Sequence, residues 1–203
     1  MAIVYRAVFA FALVASTQLA ADDMPHNAFK FSSGATALQF GNPNHFSQVR
    51  LVHDTVMGGR SNGALHKITE PDGLRFSGHL SLANNGGFAS VQFTLASTLP
   101  GIDYQRILLQ LAADGRTYQL RLKTPFIPGG VAYVADFKSS IKSSTYTFEA
   151  SDFRGQFRGR RVANLPTLKF ADVTQVSIML ADKTSGPYAI ELYSIDFSAI
   201  QSI

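Results

Sequence analysis

Apolar residues recur at every second position through much of this chain. Leu74, Phe76, Gly78, Leu80 and Leu82 alternate with polar neighbours, and Ala89, Val91, Phe93 and Leu95 do the same with Ser90, Gln92 and Thr94 opposite. Ile107, Leu109 and Leu111 continue the pattern, then Tyr118, Leu120 and Leu122 beyond Asp114-Gly115, then Val131, Tyr133, Ala135 and Phe137. A period of two marks a strand with one face buried, because successive side chains leave a pleated backbone on opposite sides. Asp-Gly between two such runs favours a two-residue hairpin, whose turn needs positive φ. Further strands are expected at residues 64–68, 145–149, 173–180 and 188–197, with an irregular Arg- and Gly-rich segment at 151–166. No window of ten or more residues shows a 3.6 period. About ten strands, closely spaced turn signals and almost no helix predict an all-β antiparallel sandwich or jelly roll.

Composition narrows the class. A chain of 203 residues with 46% hydrophobic content can fill the core of one large β domain. Residues 1–21 read as an export leader: Arg6 supplies the charge, residues 7–15 a short apolar run, and Leu19-Ala20-Ala21 the small residues before a cleavage point near Ala20 or Ala21. The product expected is exported, periplasmic or extracellular. Residues 22–45, with apolar pieces at Phe29, Phe31, Leu38 and Phe40, are expected to dock on a jelly-roll domain spanning 46–203. There is no cysteine, so the core must stand without disulfides. A net charge of +4 with no long basic run gives no electrostatic footprint for nucleic acid. The one concentration, Arg154, Arg158, Arg160 and Arg161, reads either as a solvated edge or as a patch for an anionic partner.

The stretch from Val52 to Gly63, with Asp54, Val56-Met57-Gly58-Gly59 and Ser61-Asn62-Gly63, must turn tightly before the chain re-enters a sheet. Asp54 suits two jobs there. It can accept from loop amides and pin the turn, or, with Ser61 or Asn62, offer oxygens to a ligand or a hard cation. This string resembles the signature of the family of the complex I intermediate-associated protein of thirty kilodaltons. The likeness continues through Phe76-Ser77-Gly78, residues 84–91 from Asn84 to Val91, Asp114-Gly115-Arg116 with Tyr118, Phe157-Arg158-Gly159-Arg160, and Gly186-Pro187-Tyr188 on to Phe197. These ordered blocks span residues 46–198. Where the family often carries Trp, this chain has none; residues 48–52 and Tyr146 stand there instead. The resemblance implies a galactose-binding-domain-like jelly roll and a non-enzymatic role in assembling respiratory complex I through a protein partner, with association to a membrane complex. Export would restrict such a role to the outward side of the membrane.

Catalytic chemistry finds little support in the spacing. Residues 59–63 match G-x-S-x-G, but the five residues that follow before a Pro-Gly turn are too few for the helix a nucleophile elbow needs, and no histidine follows His79. The five histidines are scattered, so neither a metal site nor a cofactor is expected. A second function remains: Arg75, His79, Gln92, Gln110, Gln119 and Arg121 fall on solvent-side positions, and a curved sheet could present them as a polar groove for a glycan, with Tyr133 or Tyr118 as an aromatic platform. Asp54, Ser61, Arg75, Gln92, Gln119, Arg121, Tyr133, Arg158 and Arg160 are therefore the candidate binding residues.

Overall fold

The computed structural model describes residues 35–199; the expected leader and the pieces around Phe29 and Phe31 lie outside the described residues. Among the described residues, thirteen strands form two antiparallel sheets. They are β1 (Ala35–Gln39), β2 (Phe46–His53), β3 (Asn62–Thr69), β4 (Asp72–Leu80), β5 (Ala89–Leu95), β6 (Arg106–Ala113) and β7 (Thr117–Lys123). The remainder are β8 (Val131–Lys138), β9 (Ser144–Glu149), β10 (Arg154–Phe157), β11 (Arg160–Arg161), β12 (Gln175–Leu180) and β13 (Gly186–Ser198). One sheet runs β3-β4-β13-β6-β9, with β1 paired to β13 as its sixth strand; the other, seven-stranded, runs β11-β10-β8-β7-β12-β5-β2. The long β13 carries β4 along residues 186–192 and β1 along 194–198, with an irregularity between Leu192 and Ser194 at the junction. The only helical pieces among the described residues are single 3-10 turns.

The alternation read from the sequence becomes the core. Phe76, Leu80, Val91, Phe93, Leu109, Tyr118, Leu120, Ile178, Ile190 and Phe197 are fully buried between the two sheets. Burying a side chain of this size contributes about 1.5–3 kcal/mol. With no Trp available, Phe fills the volume. Tyr118, Phe137, Phe148, Phe153, Phe170, Phe197 and Tyr104 follow one another at ring separations of 5.8–6.5 Å, and most of these contacts are edge-on or tilted. Such geometry suits the ring quadrupole. The segment expected to be irregular holds the β10–β11 hairpin, whose two-residue turn is Arg158-Gly159 with φ of 46° and 78°. Positive φ at both central residues matches the twist of a tight hairpin.

The strand order brings five connections to one end of the sandwich, here called the apex: residues 54–61, 81–88, 114–116, 139–143 and 181–185. The family-like strings around Asp54, Asn84, Asp114 and Gly186 all lie there.

Candidate functional site

Two knots built on three carboxylates, Asp54, Asp114 and Asp182, hold the apex together. Asp54 is fully buried. Its Oδ1 accepts from the Ser61 amide at 2.9 Å, and its Oδ2 accepts from the Ser61 hydroxyl at 2.5 Å and the amides of Gly87 at 2.6 Å and Phe88 at 3.4 Å. While its hydroxyl donates to Asp54, Ser61 Oγ accepts from the Ser81 amide at 3.0 Å. Burial alone would push the Asp54 pKa up, but the Ser61 hydroxyl and the amides of Gly87, Ser61 and Phe88 outweigh it and hold the carboxyl below its usual 3.8. A Cβ on Gly59 or Gly86 would collide with this carboxylate, so both positions need glycine for close approach. Asp54 is thus a loop pin that ties the β2–β3 connection to the β4–β5 connection, and its oxygens face N–H and O–H donors. Ser61, buried and committed to Asp54 and Ser81, stands in a loop entering a strand, where no nucleophile elbow forms.

The second knot lies across the apex. Asp114 accepts from the Arg116 amide at 3.0 Å, the Tyr118 hydroxyl at 3.1 Å and the Ala189 amide at 2.9 Å. Arg116 grips Asp182 with two bonds, Nε to Oδ2 at 3.0 Å and Nη2 to Oδ1 at 2.6 Å, and also donates to the carbonyls of Thr184 and Pro187. This fork-to-carboxylate geometry is the strong form of an ion pair, and both side chains are only 13% exposed. It ties the β6–β7 hairpin to the β12–β13 connection.

On this pinned base stand exposed apolar side chains: Val56 at 71% and Met57 at 60% exposure, with Leu82 on the adjoining loop and Ile141 on the β8–β9 connection also exposed. Asn84 Nδ2 donates to the Gly58 carbonyl at 3.0 Å and locks the first two loops together.

The second surface is the outer face of the seven-stranded sheet. Its registers align Arg50, Gln92, Ser177, Arg121, Val134 and Arg154 in one row, and Gln48, Thr94, Gln175, Lys123, Ala132 and Gln156 in the next. A third row holds Val52, Ser90, Met179, Gln119 and Asp136. Short buried side chains, Ser90 and Ser177, floor the middle, while exposed Arg50 flanks one side and half-buried Gln119 and Arg121 the other. Arg121 Nη1 donates to the side-chain oxygens of Gln119 at 2.9 Å and Gln156 at 2.8 Å. Asp136 accepts from Gln119 Nε2 at 2.9 Å and from Arg154. Burial lowers the Arg121 pKa, with Asp136 opposing and Arg154 adding to the effect; burial and then the charges of Arg121 and Arg50 lower that of Lys123. Beside Lys123, Thr94 and Gln175 the 124–130 loop encloses a cleft of about 340 Å³.

The candidate residues are therefore divided among separate places. Gln92, Gln119 and Arg121 share the seven-stranded face. Arg75 does not: it sits with His79 and Gln110 on the six-stranded sheet, where Arg75 Nη1 pairs with Glu191 at 2.9 Å. Periodicity tells which face of its own strand a residue takes, but not which sheet that strand joins. Tyr133 points into the core, 5% exposed, its hydroxyl donating to the Pro166 carbonyl at 2.6 Å, and Tyr118 is fully buried; neither is a platform. Arg158 lies over the Phe157 ring at 5.4 Å in the β10–β11 turn, and Arg160 is exposed on the edge strand. Arg50, Gln156, Gln175 and Ser177 were not foreseen as site residues. Arg50 could have been found from its alternation with Val49 and Leu51, whereas Gln156 lay in a segment with no readable period.

The sequence matches the family described as Complex I intermediate-associated protein 30 (CIA30) over residues 38–192. The chain belongs to this family. Within it the strings gathered at the apex acquire a physical meaning, since they supply the two knots described above. This CIA30 chain is 29% identical over 177 residues to the uncharacterized protein C9E9.15 of Schizosaccharomyces pombe, covering 77% of this chain and 81% of that protein. Its fold is similar to that of a family 11 carbohydrate-binding module from Clostridium thermocellum, solved in complex with a β-1,3-1,4-mixed-linked tetrasaccharide. That match has a TM-score of 0.57 at 15% identity and covers 84% of this chain and 99% of the module. The family 11 module of the cellulase Lic26A-Cel5E from the same organism gives 0.58 at 13% identity, covering 84% and 98%. The CIA30 domain of this chain is thus a jelly-roll sandwich of two antiparallel sheets, with the fold of these modules.

Proposed function

We propose that this chain is a non-enzymatic assembly module that docks a protein partner through its apex and so assists the building of a membrane-bound respiratory complex, the role its family's name implies. The observation that carries this reading is the exposed Val56-Met57 pair raised on loops that Asp54 pins. Apolar side chains exposed on a rigid base lose little entropy on docking, and Met adapts its shape to the surface it meets. Export through the leader at residues 1–21 belongs to the same proposal and puts the partner on the outward side of the membrane. Deleting the gene should lower assembled complex I on native gels, with recovery by the wild-type chain and not by a Val56→Asp, Met57→Asp variant that folds. Unchanged assembly in the deletion strain would count against the role.

A second reading, carbohydrate binding, is favoured by the rows of amide, guanidinium and hydroxyl groups across the seven-stranded sheet. Planar polar groups of this kind match the hydroxyls of a sugar chain. A glycan array checks it, and Arg121→Ala with Gln92→Ala should abolish any signal found.

A further inference from the structure

The outer face of the seven-stranded sheet carries more positive charge than it neutralises. Asp136 is the one acid in its rows, and it is occupied by Arg154 and Gln119. Arg121 has only the oxygens of two neutral amides, and among the described residues Arg50 and Lys123 have no carboxylate within ion-pair distance. Three cations thus stand around one floor, where the charges of Arg121 and Arg50 both disfavour that of Lys123. With strands about 4.8 Å apart and about 3.4 Å per residue, Arg50 lies about 14 Å from Arg121 across the sheet and Lys123 about 7 Å from Arg121 along its strand. The charge is therefore spread along a lane and not focused on one point.

The neutral lining narrows the occupant. Between the cations stand Gln92, Gln175, Ser177 and Thr94, which suit hydroxyl groups. The face has no aromatic residue in its rows and only Val52, Val134, Ala132 and Met179 as apolar ones, so it lacks the buried aromatic and apolar anchors on which protein interfaces depend. We propose that this lane binds an acidic, carboxylate-bearing oligosaccharide, with Arg121 and Lys123 meeting its acid groups, Arg50 bounding the far side and the amides and hydroxyls between them meeting its sugar hydroxyls. This rests on the carbohydrate reading above and adds the charge of the ligand.

Calorimetric titration of the full chain at low and high salt tests it, with three probes: a linear oligogalacturonate, a neutral mixed-linkage β-glucan tetrasaccharide and polyglutamate. The oligogalacturonate should bind, more weakly as salt rises, and at least about tenfold more tightly than the neutral glucan. Exposed Arg50→Gln and half-exposed Lys123→Gln, each checked for an unchanged melting temperature, should together weaken it about tenfold. Arg75→Gln on the other sheet should leave it unchanged. Equal binding of the neutral glucan would overturn the acidic assignment while leaving the carbohydrate reading intact. Tighter binding of polyglutamate would make an acidic peptide the occupant, and no binding of any probe would remove both readings.

Discussion

A buried carboxylate surrounded only by donors is a commitment made residue by residue. Asp54 has no exposure and four donors, so Asp54→Asn would place an amide N–H₂ among N–H and O–H groups and orphan at least one of them. The expected cost is about 3 kcal/mol, seen as a melting temperature lower by about 6–12 °C; an unchanged melting curve would show that the pin contributes nothing. Glycine packing gives a paired prediction. Gly86→Ala drives a methyl group into Asp54 and should destabilise by about 1–3 kcal/mol, whereas Gly101→Ala enters open space and should be neutral. Equal effects from the two would contradict the close approach. Acid should act in two stages. His53 is half-buried beside Phe76, its Nε2 buried without a partner, and desolvation holds its pKa below 6.5 against the opposing charge of Asp54. The unfolded chain therefore binds that proton first, and stability should fall as pH drops through 6.5, then fall again as Asp54, depressed from 3.8, protonates at lower pH. His53→Phe should flatten the first stage; a stability profile already flat between pH 8 and 5 in the wild type would contradict it.

Among elements, connections matter more than strands. Arg116 joins the β6–β7 hairpin to the β12–β13 connection through a bidentate pair and the carbonyls of Thr184, Gly186 and Pro187. Lysine keeps the charge but cannot form the fork, so Arg116→Lys should cost about 1–2 kcal/mol and Arg116→Ala about 3 kcal/mol, read from denaturation midpoints at unchanged slope. Lysine performing as well as arginine would mean that charge alone suffices. The strands themselves were legible: the alternations at 74–80, 89–95, 107–111, 118–122 and 131–137 fall on β4 to β8, whereas Leu82, read as the end of the first run, lies beyond β4 and is exposed, and the absence of a helical period matches an architecture with only 3-10 turns among the described residues. The hairpin at Arg154–Phe157 and Arg160–Arg161 was not legible, because strands of four and two residues are too short to show a period. The candidate site was legible in part. Gln92, Gln119 and Arg121 share a face because β5, β12 and β7 are neighbours, but strand order depends on long-range pairing, and Arg75 accordingly went to the other sheet. The sequence placed Asp54 in a turn with two possible jobs, and its contacts with Gly87 and Phe88 were not legible because they depend on the three-dimensional approach of the β4–β5 connection.

At the scale of the whole molecule, the pinned interior and the two proposed recognition surfaces are separated in space. Asp54, the Arg116–Asp182 pair and the phenylalanine core tie the sandwich together, and two surfaces are left with unspent chemistry: the apolar apex and the cationic lane. A pinned scaffold with exposed anchors suits holding a partner, since its binding surface is largely preorganised. The central claim is that the apex is where the partner docks. Site-specific photo-crosslinking in intact native cells tests it directly, with the photoreactive residue placed at Met57 or, as a control of similar exposure at the opposite end, at Phe126. The account predicts a crosslink to a subunit of the membrane complex from position 57 and none from 126. A crosslink to that subunit from 126 alone would contradict it.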